Sequence, residues 1–119
     1  MFKDLSPILW TSHIEDTITF YKEILDFTVL EYNKEWQWAA LKKDNTHIML
    51  SKPNAHLNFK TPNFTGSLYF NVTDVESLYS KLKNKVKICY PISTFEWKMK
   101  EFAIYDNNGY ILQFGQILQ

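Results

Sequence analysis

The stretch SHIEDTITFYKEILDF, residues 12–27, is the segment that decides the fold. From Ile14 onward its apolar residues recur at spacings of three and four, and this period predicts an amphipathic helix. Ser12 and Glu15 stand three residues apart, the capping-box pattern that opens a helix, and the helix should end near Asp26. Four short strands are predicted around this helix, at residues 5–11, 27–32, 35–41 and 46–51.

The same order of elements begins again in the second part of the chain. The stretch SLYFNVTDVE, residues 67–76, indicates a strand that leads into a second capping box, at Thr73 and Glu76. The apolar residues that follow predict a second amphipathic helix. An offset of 61 residues superposes Ser6 on Ser67, so the chain reads as two copies of one unit. The three strands that complete the second copy are predicted at residues 86–90, 100–105 and 110–116.

The repeat and the length of the chain together predict its domain organisation. The chain has 119 residues, within the roughly 100–200 residues typical of one domain. We therefore predict a single domain over residues 1–119, with a first half at 5–51, a linker at 52–65 and a second half at 66–116. The predicted fold class is α+β, with two tandem βαβββ modules.

Charge and cysteine content exclude several classes of partner. Thirteen basic side chains, all of them Lys, balance thirteen acidic ones, so no electrostatic footprint for nucleic acid or an anionic membrane is present. Without Arg, no guanidinium can clamp a phosphate or carboxylate. The single Cys89 excludes an intrachain disulfide and a thiolate zinc cluster. With no apolar run of membrane-spanning length and no leader pattern, we expect a cytoplasmic protein with no membrane partner.

Two stretches carry a resemblance to a known family. The first is the helix stretch at residues 12–27, and the second is FAIYDNNGYILQF, residues 102–114. Together with the tandem βαβββ halves, they resemble the vicinal oxygen chelate superfamily, which contains glyoxalase I, bleomycin-resistance proteins, fosfomycin-resistance thiol transferases and extradiol dioxygenases. The resemblance implies two curled mixed sheets, one from each half. It also implies a symmetric homodimer whose clefts hold a small-molecule ligand.

The metal positions of that superfamily depart from its pattern in this chain. In the metal-dependent members, His or Glu side chains from the first and last strands of each half bind one divalent ion. The matching places here are Ser6, Met49, Ser67 and Gln113. Zinc and similar ions take imidazole, thiolate or carboxylate ligands, and none of these four residues supplies one. We therefore predict no bound metal and no cofactor.

Aromatic residues are the other unusual feature, at 17% of the chain with four Trp. If the four positions above face a cavity, strand alternation places their neighbours on the same face. These aromatic side chains then suit a flat or heteroaromatic ligand, and the alternative is that they only fill the cleft or a dimer interface. The predicted ligand-binding residues are Ser6, Ile8, Trp10, Trp36, Trp38, His47, Met49, Ser67, Tyr69, Asn71, Ile111 and Gln113.

Two functions from different classes remain open. The leading one is a metal-independent protein of the bleomycin-resistance type, which sequesters a planar or heteroaromatic compound without chemistry and so has no catalytic residues. The competing one is an enzyme of the lyase, transferase or isomerase kind that uses His47, Tyr69 or Glu101 as acid or base. Nothing in the sequence places these three side chains at hydrogen-bond distance. The loop at residues 95–97 is a candidate cover for the cleft, although alternation does not indicate which way its side chains point.

Overall fold

The computed structural model describes the whole chain, residues 1–119, and its elements follow the same order twice. The chain divides into two compact units, Met1–Pro62 and Asn63–Gln119, which we call the first half and the second half. The first half contains β1 (Ile8–Trp10), α1 (Ile14–Thr19), β2 (Thr28–Asn33), β3 (Trp38–Lys43) and β4 (Thr46–Ser51). The second half contains β5 (Leu68–Asn71), α2 (Val75–Leu82), β6 (Lys87–Thr94), β7 (Met99–Tyr105) and β8 (Ile111–Ile117).

Each half forms one four-stranded sheet, and the two sheets have the same topology. The strand order is β1-β4-β3-β2 in the first half and β5-β8-β7-β6 in the second. The first strand of each half pairs in parallel with the last, whereas the other neighbours are antiparallel. Each half thus has the element order βαβββ and forms one mixed sheet, which confirms the predicted α+β fold class.

One face of each sheet is buried. In the first half, Ile48 and Leu50 are at most 1% exposed, and α1 packs against the strand that carries them. In the second half, Ile104 and Leu112 are 0% exposed, and α2 packs against their strands. Full burial of one such aliphatic side chain contributes about 1.5–3 kcal/mol. The residues that alternate with Ile48 and Leu50, such as Met49, are more accessible and form the other face of the first sheet. On β7 the alternating residues Glu101 and Ala103 are buried as well.

Both helices begin one residue later than the capping-box patterns predict. The residue before α1 is His13, not Ser12, and its carbonyl oxygen accepts a hydrogen bond from the Thr17 hydroxyl at 3.0 Å. The residue before α2 is Asp74, not Thr73, and its carboxylate accepts the Ser77 N–H at 3.2 Å. An aspartate carboxylate caps a helix at least as well as a threonine hydroxyl, so Asp74 takes the capping position.

The end of the first helix is irregular. After Thr19 the chain continues as one π-helical segment, Phe20–Ile24. The N–H of Phe27 then donates to the carbonyl oxygen of Tyr21 at 2.9 Å, and Asp26 between them has a φ of 61°. A left-handed residue of this kind terminates a helix, which confirms the predicted end near Asp26. Neither helix of the protein has the length and apolar character needed to cross a membrane.

Candidate functional site

The accessible faces of the two sheets place the predicted site residues in equivalent registers. Ile8 of β1 pairs with Met49 of β4, and Tyr69 of β5 pairs with Gln113 of β8. Met49 and Gln113 therefore occupy the same position in their halves. Ser6 and Ser67 precede the two first strands, and both are half-buried.

A buried carboxylate lies at the centre of the second half. Glu101 on β7 is only 4% exposed. The Tyr69 hydroxyl donates to its Oε2 at 2.6 Å, and the Tyr90 hydroxyl donates to its Oε1 at 3.0 Å. The structure therefore brings together Tyr69 and Glu101, two of the three acid–base candidates, whereas His47 lies exposed on β4 of the first half.

The hydrogen bonds continue from Tyr90 to two of the predicted site residues. The Nε2 of Gln113 donates to the Tyr90 hydroxyl oxygen at 2.7 Å, and the Ser67 hydroxyl donates to the Oε1 of Gln113. Five side chains thus form one continuous chain of hydrogen bonds, which we call the tyrosine–glutamate network: Ser67, Gln113, Tyr90, Glu101 and Tyr69.

Both tyrosines of this network are held in the protonated form. Burial raises the pKa of Tyr69 well above its usual value, and the hydrogen bond and negative charge of Glu101 raise it further. Burial is also the main cause of the raised pKa of Tyr90. The hydrogen bond from Gln113 lowers this pKa, and the contact with Glu101 raises it. At neutral pH both hydroxyls therefore carry their proton and donate hydrogen bonds to Glu101.

A glycine makes room for this arrangement. The Tyr69 side chain lies over Gly115 of the neighbouring strand β8, and a Cβ added to Gly115 would overlap the Tyr69 hydroxyl. Any other residue at position 115 would displace the ring from Glu101. Gly115 therefore serves as the close-approach site of the network rather than as a turn residue.

A hollow opens beside the network, and we call it the tyrosine hollow. Its volume is about 460 Å³, within the range of small-molecule sites. Phe95 and Trp97 are stacked at its border, with ring centroids 4.8 Å apart and planes at 16°. Tyr90 meets Phe95 edge-on at 6.0 Å. The full lining is Tyr90, Pro91, Ser93, Phe95, Trp97, Glu101 and Gln113.

The first half has a hollow of its own, which we call the tryptophan hollow. Its volume is about 400 Å³, and it contains three of the predicted ligand-binding residues, Ile8, Trp10 and Trp36. Phe59 contacts the Trp10 ring edge-on at 5.9 Å. The rest of the lining comes from the end of β4 and from the segment predicted as a linker: Ser51, Lys52, Pro53, Asn54, Ala55 and His56.

Trp36 reaches this hollow by a route that differs from the predicted one. The sequence predicts a strand from residue 35 whose alternation turns Trp36 to the cleft, but β3 begins only at Trp38. The Asn33 side-chain oxygen accepts the Trp36 N–H at 2.8 Å, and Gln37 has a φ of 54°. These features form a turn, so the predicted strand at this position is wrong even though Trp36 lines the hollow.

The other predicted site residues lie outside both hollows. Trp38 is half-buried and pairs with Ser51, whereas His47 is exposed and pairs with Lys42 near the β3–β4 turn. Two more lie at the ends of their strands in the second half: Asn71, which pairs with Gly115, and Ile111, which pairs with Tyr105. The other four that line neither hollow are Ser6, Met49, Ser67 and Tyr69.

Sequence reasoning named Glu101, Gln113 and the loop at residues 95–97, but it missed three residues in the lining of the tyrosine hollow: Tyr90, Pro91 and Ser93. The sixth strand was predicted to end at Tyr90, but β6 continues through Pro91 to Thr94. Proline is tolerated there because β6 is an edge strand, and the register shifts on both sides of Tyr90 interrupt the alternation. The aromatic pair at residues 95 and 97 was the available signal for this site.

The residues at the superfamily's metal positions do not fit a metal ion. Ser6 and Met49 offer a hydroxyl and a thioether, and Ser67 and Gln113 hydrogen-bond to each other. Nowhere in the chain do three His, Cys, Asp or Glu side chains converge in a way that could hold an ion. The donor set is therefore one that zinc, nickel and iron do not favour.

Comparison with solved structures gives the same fold. A glyoxalase/bleomycin resistance protein/dioxygenase family enzyme from Burkholderia phytofirmans aligns with a TM-score of 0.81 and 16% identity, over 98% of this chain and 100% of that one. A protein of unknown function from Agrobacterium tumefaciens aligns with a TM-score of 0.81 and 18% identity, over 99% and 96% of the two chains. A lactoylglutathione lyase from the same organism aligns with a TM-score of 0.73 and 12% identity, over 97% and 94%.

Likeness at these identities shows the fold alone, and no curated protein matches the chain in sequence. The family follows from a sequence model that covers nearly the whole chain. The model of the Glyoxalase/Bleomycin resistance protein/Dioxygenase superfamily matches residues 5–114. This match confirms the resemblance carried by residues 12–27 and residues 102–114. The chain belongs to that superfamily.

Proposed function

We propose that this protein is a metal-independent small-molecule-binding protein that holds a flat, heteroaromatic compound in the tyrosine hollow. The observation that carries the proposal is the composition of that hollow. Aromatic side chains and a proline form most of its wall, and only a few polar groups converge on it, among them Glu101 and Gln113. Apolar walls with a few fixed polar groups are the usual design of a ligand site.

The aromatic border favours a flat ligand. Phe95 and Trp97 present nearly parallel rings, and Trp97 is 62% exposed. An exposed indole of this kind loses water when a flat ring covers it, and aromatic pairing adds about 0.5–1.5 kcal/mol beyond the buried area. Drug-resistance-type sequestration requires no more than such binding.

Metal independence rests on the donor set at the superfamily's metal positions. Ser6, Met49, Ser67 and Gln113 supply no imidazole, thiolate or carboxylate. A chelator should therefore leave ligand binding unchanged.

We also propose that the protein forms a symmetric homodimer, because it resembles the superfamily. Light scattering at micromolar concentration tests this, and a monomer would contradict it.

A thermal-shift screen of flat heteroaromatic compounds, with and without EDTA, tests the proposed function. Compounds that bind should raise the melting temperature equally in both conditions. Trp97→Ala should weaken this effect, whereas Trp36→Ala should not. These two residues are matched controls, because Trp97 is 62% exposed and Trp36 64% exposed. Hits that disappear with EDTA would contradict metal independence, and hits lost only in Trp36→Ala would move the site to the tryptophan hollow.

One observation favours the enzyme as a second candidate. The Tyr69 hydroxyl lies 2.6 Å from Glu101, and a buried carboxylate beside a protonated tyrosine can move a proton to or from a substrate. A lyase or isomerase would use this pair. Incubating bound compounds with the protein in D₂O tests it: the enzyme predicts deuterium incorporation at carbon that Glu101→Gln and Tyr69→Phe abolish. A compound recovered without deuterium supports binding without chemistry.

A further inference from the structure

The charge of the tyrosine hollow is set by one side chain. Glu101 is the only acid in its lining, and the lining contains no Lys or His. Water cannot solvate this carboxylate well, because the residue is 4% exposed. Its hydrogen-bond donors are the hydroxyls of Tyr69 and Tyr90, which carry no positive charge. The negative charge in the hollow is therefore not balanced by a basic side chain of the lining.

Glu101 also retains acceptor capacity. An ionised carboxylate has about four positions at which its lone pairs accept hydrogen bonds. One tyrosine occupies one position on each oxygen, which leaves each oxygen able to accept one more donor. A ligand in the hollow is the group that can supply it, since Glu101 is part of the lining.

The aromatic walls favour the same kind of ligand. The faces of Trp, Tyr and Phe rings are negative, and they attract a cation within about 6 Å of the ring centroid. Trp97, Phe95 and Tyr90 all border the hollow. A flat cation can thus stack on the rings while it donates to the carboxylate.

From these observations we propose that the tyrosine hollow selects flat organic cations that carry an N–H, such as protonated amino-heterocycles and amidiniums. The ring stacks on the face of Trp97 that Phe95 leaves open, and the N–H donates to Glu101. This inference rests on the proposed function and names the chemical class of its ligand. The protein's balanced overall charge does not oppose it, because the selectivity comes from one buried group and not from the long-range field.

The same geometry acts against other flat compounds. An anion placed in the hollow would lie beside Glu101 with no basic side chain of the lining to compensate it. A neutral ring gains the stacking but not the charge-assisted hydrogen bond. The expected order of affinity is therefore cation, then neutral compound, then anion.

Isothermal titration calorimetry at neutral pH with three compounds of one ring system tests this order. The probes are 9-aminoacridine as the cation, acridone as the neutral compound and acridine-9-carboxylate as the anion. The cation should bind at least about tenfold more tightly than acridone, because a hydrogen bond to a charged group is involved. The anion should bind most weakly.

Two variants with the same change of charge locate the selectivity. Glu101→Gln should remove most of the preference for 9-aminoacridine over acridone and leave only the smaller part that the aromatic faces supply. Glu96→Gln is the matched control, since Glu96 is exposed in the loop between Phe95 and Trp97 and is absent from the lining of the hollow. It should leave the preference for the cation unchanged. Should Glu101→Gln fail to fold, the order of the three probes on the wild-type protein decides the question.

The outcomes separate this inference from the proposed function. Acridone and 9-aminoacridine binding equally well to the wild type would overturn cation selectivity and leave the binding function intact. A preference that is undiminished in Glu101→Gln would overturn the role of that carboxylate. If none of the three compounds binds, both the inference and the binding function proposed for this hollow are contradicted.

Discussion

The two halves of the protein share a strand order and a register, but they use the accessible face of the sheet differently. In the first half the row across the sheet is Trp10, Ser51 and Trp38, and in the second half the equivalent row is Asn71, Gly115 and Glu101. A tryptophan thus stands in one half where a buried carboxylate stands in the other. The backbone pairing is the same, so the chemistry of each face depends on a few side chains placed on a common scaffold.

The hydrogen-bonded tyrosines show the same contrast. Each half contains a tyrosine that donates to a glutamate: Tyr32 to Glu15 at 3.1 Å in the first, and Tyr69 to Glu101 at 2.6 Å in the second. Glu15 is exposed to water, whereas Glu101 is buried. Water competes for the hydrogen bond between Tyr32 and Glu15. Only the pair of Tyr69 and Glu101 therefore holds a carboxylate in place beside a hollow.

The largest expected effect comes from closing the space under Tyr69. Gly115→Ala would place a methyl group where the Tyr69 hydroxyl lies, and so break its bond to Glu101. Overpacking together with a buried carboxylate that loses a donor should lower the free energy of unfolding by about 3 kcal/mol. Urea denaturation measures it. The control is Ser51→Ala at the equivalent position of the first half, where the hydroxyl donates to an exposed carbonyl and a cost of at most about 1 kcal/mol is expected. Equal costs would contradict the difference between the halves.

Removing the hydroxyls of the two tyrosines should give a smaller effect. Tyr69→Phe should lower the free energy of unfolding by about 1.5 kcal/mol, because the buried Glu101 loses a charge-assisted donor. Tyr32→Phe removes a bond to an exposed glutamate and should change it by no more than about 0.5 kcal/mol. Thermal and urea unfolding of both variants check the comparison. A Tyr32→Phe cost as large as that of Tyr69→Phe would show that burial does not separate the pairs.

The smallest effect concerns alkaline pH. The raised pKa of Tyr69 exceeds its ordinary value of 10.0, so its contribution to stability is complete below pH 10 and is lost as the pH rises through the folded-state pKa. Unfolding free energy should therefore decline above pH 10, by less than the Tyr69→Phe cost, since the ring is 40% exposed. In Tyr69→Phe this decline should be shallower. An identical alkaline profile in the variant would contradict the assignment.

Local sequence patterns predicted the fold, whereas the contacts of the site between distant residues could not be predicted from them. The repeat and the alternation around Leu9, Ile48 and Leu112 were enough for the fold and for the accessible face, because strand period and helix period are local signals. The contact between Tyr69 and Glu101 spans 32 residues and depends on which strands pair, which no local pattern encodes. The register shifts beside Tyr90 also remove the alternation that would have shown its direction.

The tryptophans illustrate the same limit in the first half. Trp10 lies within a regular strand beside Ser51, so alternation applies at its position, and it lines the tryptophan hollow. Trp36 reaches the hollow through a turn with a positive φ at Gln37, so a period of two had no meaning there. The segment predicted as a linker supplies five lining residues, which follow the end of β4: Lys52, Pro53, Asn54, Ala55 and His56.

The central claim is that a flat ligand binds in the second half without a metal, and the four tryptophans allow one direct measurement of it. Trp97 borders the tyrosine hollow, whereas Trp10, Trp36 and Trp38 belong to the first half. In a ¹⁵N-labelled protein titrated with 9-aminoacridine in the presence of EDTA, each indole N–H gives its own NMR signal. We expect a saturable shift of the Trp97 signal with the other three unchanged. Shifts of Trp10 and Trp36 with Trp97 unmoved, or no shift until a divalent metal is added, would contradict it.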